Sequence, residues 1–185
     1  MSMLPQEKAA LRRLAAERIR GLSPEERKRA SEIIAEQVFA LPSWSRAKVV
    51  MAFVSTPSEP DTREILSRAV QQGKTVLLPR CLKAPEMEAL PYRGEAFLRP
   101  GLWGIPEPVP LSGAEENRPP EPELILVPCV AATETGLRLG HGAGYYDWFL
   151  KNRKAETAGL CFRVQRMETL PVEPTDVALD RIIWG

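Results

Sequence analysis

The chain is poor in the residues that hold transition metals, cross-link a fold or carry nucleophilic catalysis. It has one histidine, His141, and three cysteines, Cys81, Cys129 and Cys161, far apart and without a CxxC pair. That scarcity argues against a zinc centre or a disulfide framework and fits the reduced thiols of a cytoplasmic protein. With a single histidine, no Ser-His-Asp or Cys-His arrangement is assembled convincingly. No stretch approaches the roughly 20 apolar residues that span a bilayer. The opening MSMLPQEKAALRRL is charged and helical in pattern and has no apolar signal-peptide core. A net charge of +1 gives no global attraction to nucleic acid or anionic membrane, so neither is expected as a partner and any basic site is local. Asparagine occurs only at Asn117 and Asn152.

What is present is an ordinary globular composition. The 185 residues are 44% hydrophobic and 26% charged, enough for one domain over 1–185 with a real core. Prolines number 18, and arginine is used far more than lysine. Together with the few asparagines this fits a heat-adapted source, though high-GC codon usage produces the same skew.

Along the chain, residues 5–20 read as a helix, with Pro5 in its first turn and Gly21 at its stop. Ser23-Pro24-Glu25-Glu26 resembles a capping box, followed by the apolar stripe Ala30, Ile33, Ile34, Val38 and Leu41 of a second helix. AKVVMAFV, 47–54, suits a buried strand, Asp61 or Thr62 a third helix cap, and TVLLP, 75–79, the next strand. Strand, helix, strand predicts a parallel βαβ unit. The proline-rich middle, 84–122, reads as strands or loops within the same domain. LILVPCV, 124–130, TAGLCF, 157–162, and a terminal IIW read as further strands. Strands alternating with helices predict an α/β domain: a mostly parallel central sheet with helices on both faces.

The most unusual stretch is LRLGHGAGYYDWFL, 137–150, which places Gly140, Gly142 and Gly144 at alternate positions between Arg138 and Asp147. It follows the strong strand 124–130 and leads into a helical pattern. A glycine-rich loop entering a helix makes an anion site, because the backbone approaches closely and its N–H groups converge. The pattern matches neither the Walker A nor the dinucleotide fingerprint. By themselves the glycines serve equally well to shape a turn. Arg138 suits a phosphate and Asp147 a magnesium ion bridging phosphate oxygens, although an acid in a first helical turn is common without either role. An arginine, a phosphate-cradling loop and an acid within ten residues favour nucleotide or phosphoryl chemistry.

With these residues in view the chain resembles the 5-formyltetrahydrofolate cyclo-ligase (methenyltetrahydrofolate synthetase) family over nearly its whole length. The resemblance rests on Lys8 and Arg12 and on Glu59-Pro60-Asp61-Thr62. It continues through Gly104-Ile105-Pro106-Glu107-Pro108 and VPCVAATETGLRLGHGAGYYD to Gln165, Pro171, Glu173 and Asp176. It implies a three-layer α/β/α domain like the sugar-phosphate isomerase and CoA-transferase group. It also implies an enzyme that turns 5-formyltetrahydrofolate into 5,10-methenyltetrahydrofolate with MgATP, releasing ADP and phosphate. The expected partners are these small molecules alone, on a monomer or weak dimer.

Carried over residue by residue, the resemblance gives Arg138, Tyr145 and Asp147 catalytic roles. ATP would be held by Lys8, Arg12, Arg138 and the run Leu139, Gly140, His141, Gly142, Ala143, Gly144, Tyr145 and Tyr146. The folate would meet Val54, Glu59 and Trp103 together with His141, Gly142, Ala143, Gly144 and Tyr145. Asp147 and Asp176 would bind Mg²⁺. Lys8 and Arg12 lie four apart and share a helix face, an arrangement more often found on a solvated surface. Phe53, Trp103 and Tyr145 are candidates to stack on the folate rings, with core packing the commoner fate of an aromatic. Cys129 reads as a small buried residue.

Several positions depart from the family pattern. Cys129, Ala132 and Thr133 stand where glycine, phenylalanine and aspartate are usual. Trp148 replaces an arginine, Thr175 a histidine, and the chain ends in IIWG. The loop and both acids persist. The alternatives are a non-catalytic or retuned folate- or nucleotide-binding relative, and a different ATP-dependent or sugar-phosphate-type enzyme on the same scaffold.

Overall fold

The computed structural model describes residues 4–110 and 119–185. The expectations for the proline-rich middle therefore lie partly outside the described residues, at 111–118. In chain order the helices and strands are α1 (Leu4–Arg20), α2 (Pro24–Phe39), α3 (Pro42–Arg46), β1 (Val49–Met51), α4 (Arg63–Gln71), β2 (Thr75–Cys81), β3 (Met87–Pro91), β4 (Leu98–Pro100), β5 (Pro106–Pro108), β6 (Leu124–Pro128), β7 (Ala131–Ala132), β8 (Arg138–Leu139), α5 (Tyr145–Leu150), β9 (Glu156–Cys161) and β10 (Arg181–Trp184). Among the described residues three 3₁₀ turns intervene, at Glu95–Phe97, Leu102–Gly104 and Arg163–Gln165.

The main sheet runs β10-β9-β6-β1-β2-β3. Every pairing is parallel except the β2–β3 edge, which is antiparallel. Period-2 alternation divides its side chains between two cores. Val50, Val76, Leu78, Leu124, Leu126, Ala158 and Leu160 face α2, α3 and α4. Met51, Leu77, Ile125, Val127, Cys129 and Cys161 face α5 and the segment carrying Leu179. The expected mostly parallel sheet with helices on both faces is what forms, although among the described residues the second face carries only one short helix. α1 belongs to neither face: Ala15 packs with Ala131, Leu139, Met167 and Leu170 over the β7–β8 hairpin at the end of the sheet.

The predicted capping box is formed. Ser23 Oγ accepts from Glu26 N–H at 3.2 Å, and Glu26 Oε2 accepts from Ser23 N–H at 2.7 Å. Caps of this kind contribute about 1 kcal/mol. At the start of α4 the two predicted caps divide the role, Thr62 by position and Asp61 by its hydrogen bond. Thr62 takes the cap position, but its hydroxyl donates to Phe53 O at 2.6 Å and accepts from Ser55 N–H at 3.2 Å. Asp61 Oδ1 accepts from Arg63 N–H at 2.9 Å. The same bonds shorten the expected 47–54 strand to Val49–Met51, because Phe53 and Ser55 pair with Thr62 instead of a neighbouring strand.

Candidate active site

In the strand order, β1 is central; the chain winds from it to β2 and β3 on one side and to β6, β9 and β10 on the other. The crevice beyond the carboxyl ends of β1 and β6 is therefore the topological switch point, where α/β folds bind ligands. The segment leaving β1 carries Val54 and Glu59. The segment leaving β6 forms the β7–β8 hairpin and the glycine loop that enters α5.

The hairpin is a rigid base for that loop. Its strands pair Ala131 with Leu139 and Ala132 with Arg138. Its turn needs Gly136, which has φ +88° and no room for a Cβ against Leu179 O. Ala132 and Thr133 are both buried, so the positions where the family pattern has a phenylalanine and an acid are closed by small groups. Thr133 Oγ1 accepts from Leu137 N–H at 3.2 Å and is 2.9 Å from Thr135 Oγ1.

Because α1 lies across this hairpin, Lys8 and Arg12 are brought to the site from it. Arg12 Nε donates to Gly140 O at 2.8 Å. The Arg12 guanidinium also covers Gly142, which has φ +106° and where a Cβ would come within 3.2 Å of Nη2. Lys8 is buried and donates to Glu173 Oε2 at 2.6 Å and Asp176 Oδ2 at 2.7 Å. Burial alone would lower its pKa, but hydrogen bonds and charge from Asp176 and Glu173 outweigh that and raise it above the usual lysine value. The solvated surface that such a pair usually occupies does not apply here.

Arg138 differs from the simple expectation of a guanidinium free to clamp phosphate. Its side chain is 3% exposed, and Nη2 donates to Asp147 Oδ1 at 2.8 Å. That oxygen also accepts from Val177 N–H at 3.0 Å, so the acid after the loop is held beside the segment carrying Asp176. The Arg138 guanidinium lies 5.8 Å from the centre of the Tyr146 ring. Arg138 Nε and the Tyr146 hydroxyl are both buried without a hydrogen-bond partner among the described residues. Burial pushes the Tyr146 phenol far above its ordinary pKa, so it stays a neutral donor.

Glu59 and His141 meet from opposite sides of the crevice, His141 Nε2 lying 3.4 Å from Glu59 Oε1. The Glu59 side chain is 8% exposed and its Oε2 accepts from Thr56 N–H at 2.7 Å. Glu59 and half-buried Val54 border a cleft of about 640 Å³ that also takes in Ser55, Tyr92 and Leu98. Tyr145 donates its hydroxyl to Leu82 O at 3.0 Å, and the exposed Trp103 ring stands edge-on 6.0 Å from its ring. Desolvation raises the Tyr145 phenol, which favours this donor form. Leu139 is buried in the cluster under α1, while Ala143 packs against the α5 side of the sheet.

Phe53 is a correction: it is buried among the core residues under α2 and α4, so it has no free face for a ligand ring. Cys129 is buried, as expected, with its thiol 3.5 Å from Val127 O. Trp148 and Thr175 are exposed. Asp147 and Asp176 are each tied to a cation, and among the described residues no group of three histidine, cysteine or carboxylate side chains is arranged around a metal position. Two residues carried no assigned role in the sequence reading but brace the site. Glu173 shares Lys8 with Asp176. Gln165 is fully buried and donates to Cys129 O at 2.7 Å and Val130 O at 3.0 Å, pinning the exit of β6. Their family motif was the only available sign of them.

Comparison with known proteins follows the same outline. A family model described as the 5-formyltetrahydrofolate cyclo-ligase family matches residues 5–185. A probable 5-formyltetrahydrofolate cyclo-ligase of Caenorhabditis elegans is 34% identical over 197 aligned residues, covering 100% of this chain and 95% of its own. The 5-formyltetrahydrofolate cyclo-ligase of Mus musculus is 31% identical, covering 96% and 93%. The NMR structure of Aquifex aeolicus 5,10-methenyltetrahydrofolate synthetase superposes with a TM-score of 0.79 at 30% identity, covering 96% of this chain and 89% of that one.

Proposed function

The chain belongs to the 5-formyltetrahydrofolate cyclo-ligase family, and from that premise we propose that it closes 5-formyltetrahydrofolate to 5,10-methenyltetrahydrofolate with MgATP, releasing ADP and phosphate. What supports this above all is the convergence of two distant segments on one glycine loop, Arg12 on Gly140 O and Glu59 beside His141, with the loop's own flanks closed by Arg138 on Asp147.

The chemical difficulty is that an amide oxygen is a very poor leaving group. Transfer of the γ-phosphoryl group to the formyl oxygen converts it into phosphate, which leaves when N10 attacks the formyl carbon and closes the ring. The protein's part is mainly to position the reactants and stabilise charge. The loop from Leu139 to Tyr146 offers backbone N–H groups to the triphosphate, and Arg12, Lys8 and Arg138 supply positive charge around it. Glu59 accepts hydrogen bonds from the donor edge of the pterin, and the Trp103 and Tyr145 rings flank a flat ring of the folate. Val54 gives that pocket an apolar wall.

Asp147 and Asp176 fit a hard divalent ion. Both are carboxylates, and each is held through one oxygen, Asp147 Oδ1 and Asp176 Oδ2, while the other oxygen accepts no hydrogen bond from the described residues. Magnesium bound there would neutralise charge that develops on the transferring phosphoryl group. Among the described residues no helix is long and apolar enough to cross a membrane.

The test is a spectrophotometric assay of the purified protein with 5-formyltetrahydrofolate and MgATP, since the methenyl product absorbs in the near ultraviolet where the substrate does not. Product formation should require both ATP and magnesium and fall by at least about a hundredfold in Asp147→Ala, the scale of losing one electrostatic stabiliser. Absence of product at every temperature below unfolding would refute the reading.

A further inference from the structure

The glycine-isoleucine-proline-glutamate-proline run contains a buried carboxylate that the reaction scheme leaves without a task. Glu107 lies on β5, and its Oε1 accepts from Cys81 N–H at 3.3 Å, at the very end of β2. A Cβ on Gly101 would overlap the Glu107 carboxyl, so this glycine makes the space the side chain occupies. Arg99 stands opposite Glu107 in the β4–β5 ladder, yet its guanidinium donates to Ala96 O and Leu98 O instead. Burying a carboxylate is costly unless hydrogen bonds repay it. An apolar side chain would fill the same volume without that cost, so the carboxylate has another reason to be there.

Between Gly101 and Glu107 the chain makes the turn that presents Trp103. Trp103 has φ +58° and is the only non-glycine residue with positive φ among the described residues. It is also 66% exposed, so little packing holds it. Its ring stands edge-on to that of Tyr145, whose hydroxyl donates to Leu82 O. The two rings are thus referenced to adjacent residues, Tyr145 to Leu82 and the Trp103 turn, through Glu107, to Cys81. Burial, with Glu107 as a further cause, pushes the Cys81 thiol up to about 11, so it stays protonated and can lend its S–H to the same carboxylate.

We infer that Glu107 is a positioning residue whose buried carboxylate anchors the Trp103 turn to the end of β2 and thereby holds the Trp103 ring beside Tyr145, where it can cover a planar folate ring. This rests on the folate reading of these rings given above.

The experiment measures quenching of tryptophan fluorescence by 5-formyltetrahydrofolate without ATP, together with KM for each substrate. It compares the wild type with Trp103→Phe, Glu107→Ala, Glu107→Gln and Gly101→Ala. Trp103→Phe should lose most of the quench. Glu107→Ala, and Gly101→Ala with its glutamate intact but displaced, should weaken folate binding about tenfold, the scale of one hydrogen bond, and leave KM for ATP unchanged. Glu107→Gln keeps an acceptor for Cys81 N–H and should restore most of the affinity. The inference is overturned if Glu107→Ala binds folate like the wild type, if Glu107→Gln is as weak as Glu107→Ala, or if both substrates weaken together. Failure of the folate reading itself would look different, because the wild type would then show neither quench nor product.

Discussion

Lys8 is carried by α1 into near-complete burial and donates to two carboxylates there, a site that holds together only while the ammonium is charged. Its folded pKa lies above the ordinary 10.5. The sign follows: the stabilisation is fully present below about 10.5 and is lost as pH rises through the elevated folded value. Denaturant midpoints of the wild type and Lys8→Met should therefore differ at about pH 9 and converge as pH climbs past 10.5. A gap that stays constant into the alkaline range would mean that Lys8 stabilises by packing alone. The pairing also marks what a sequence can and cannot say about a site. The conformational freedom of Gly142 and Gly144 is a local property, so the loop was legible from its residues. The side-chain partners of Lys8 and Glu107, and the carbonyls that Gln165 donates to, lie 26 or more positions away along the chain, and nothing local announces them.

α1 is held by a thin apolar seam, with Ala15 and Ile19 as its fully buried apolar residues, plus polar ties from Lys8, Arg12 and Arg18. Elements with little buried apolar contact open at low free energy. If ATP binds against Lys8, Arg12 and the loop, amide hydrogen exchange in α1 and in 139–144 should slow when nucleotide is added. Amides of β2 and β9, interior strands that exchange through opening of the whole fold, should slow only as far as nucleotide raises global stability. Protection confined to the loop would remove α1 from the nucleotide site. The helices were the easiest elements to read, because α1, α2 and α4 each carry a 3.6-residue pattern with a proline, a cap or a glycine at an end. β3 was not legible as an antiparallel edge. MEALP has no alternation that distinguishes it from the loops around it, and only its ladder to β2 makes it a strand. β1 was overextended for a related reason: the apolar run continues to Val54, but the backbone bonds of Phe53 and Ser55 go to Thr62.

The sheet falls into two wings, β1-β2-β3 and β6-β9-β10, joined by a β1–β6 ladder paired over just two residues, Val50 with Leu124 and Met51 with Ile125. The crevice above that seam is also where α1, the Glu59 segment and the glycine loop meet. A nucleotide seated there contacts groups from both wings and from α1, so its binding energy should appear as stability of the whole fold and not only of the loop. At about a hundred times its Kd a ligand stabilises by about 2.7 kcal/mol. In a chain of 185 residues each kcal/mol moves the melting midpoint by about 2–4 °C. MgATP at that excess should therefore raise Tm by about 5–10 °C. Arg12→Ala, which removes one charge-assisted contact and about tenfold in affinity, should show about half that shift at the same nucleotide concentration. An equal shift in wild type and Arg12→Ala would show that the nucleotide binds without Arg12. The Arg12 bond to Gly140 would then be a brace for the loop and not part of the phosphate site.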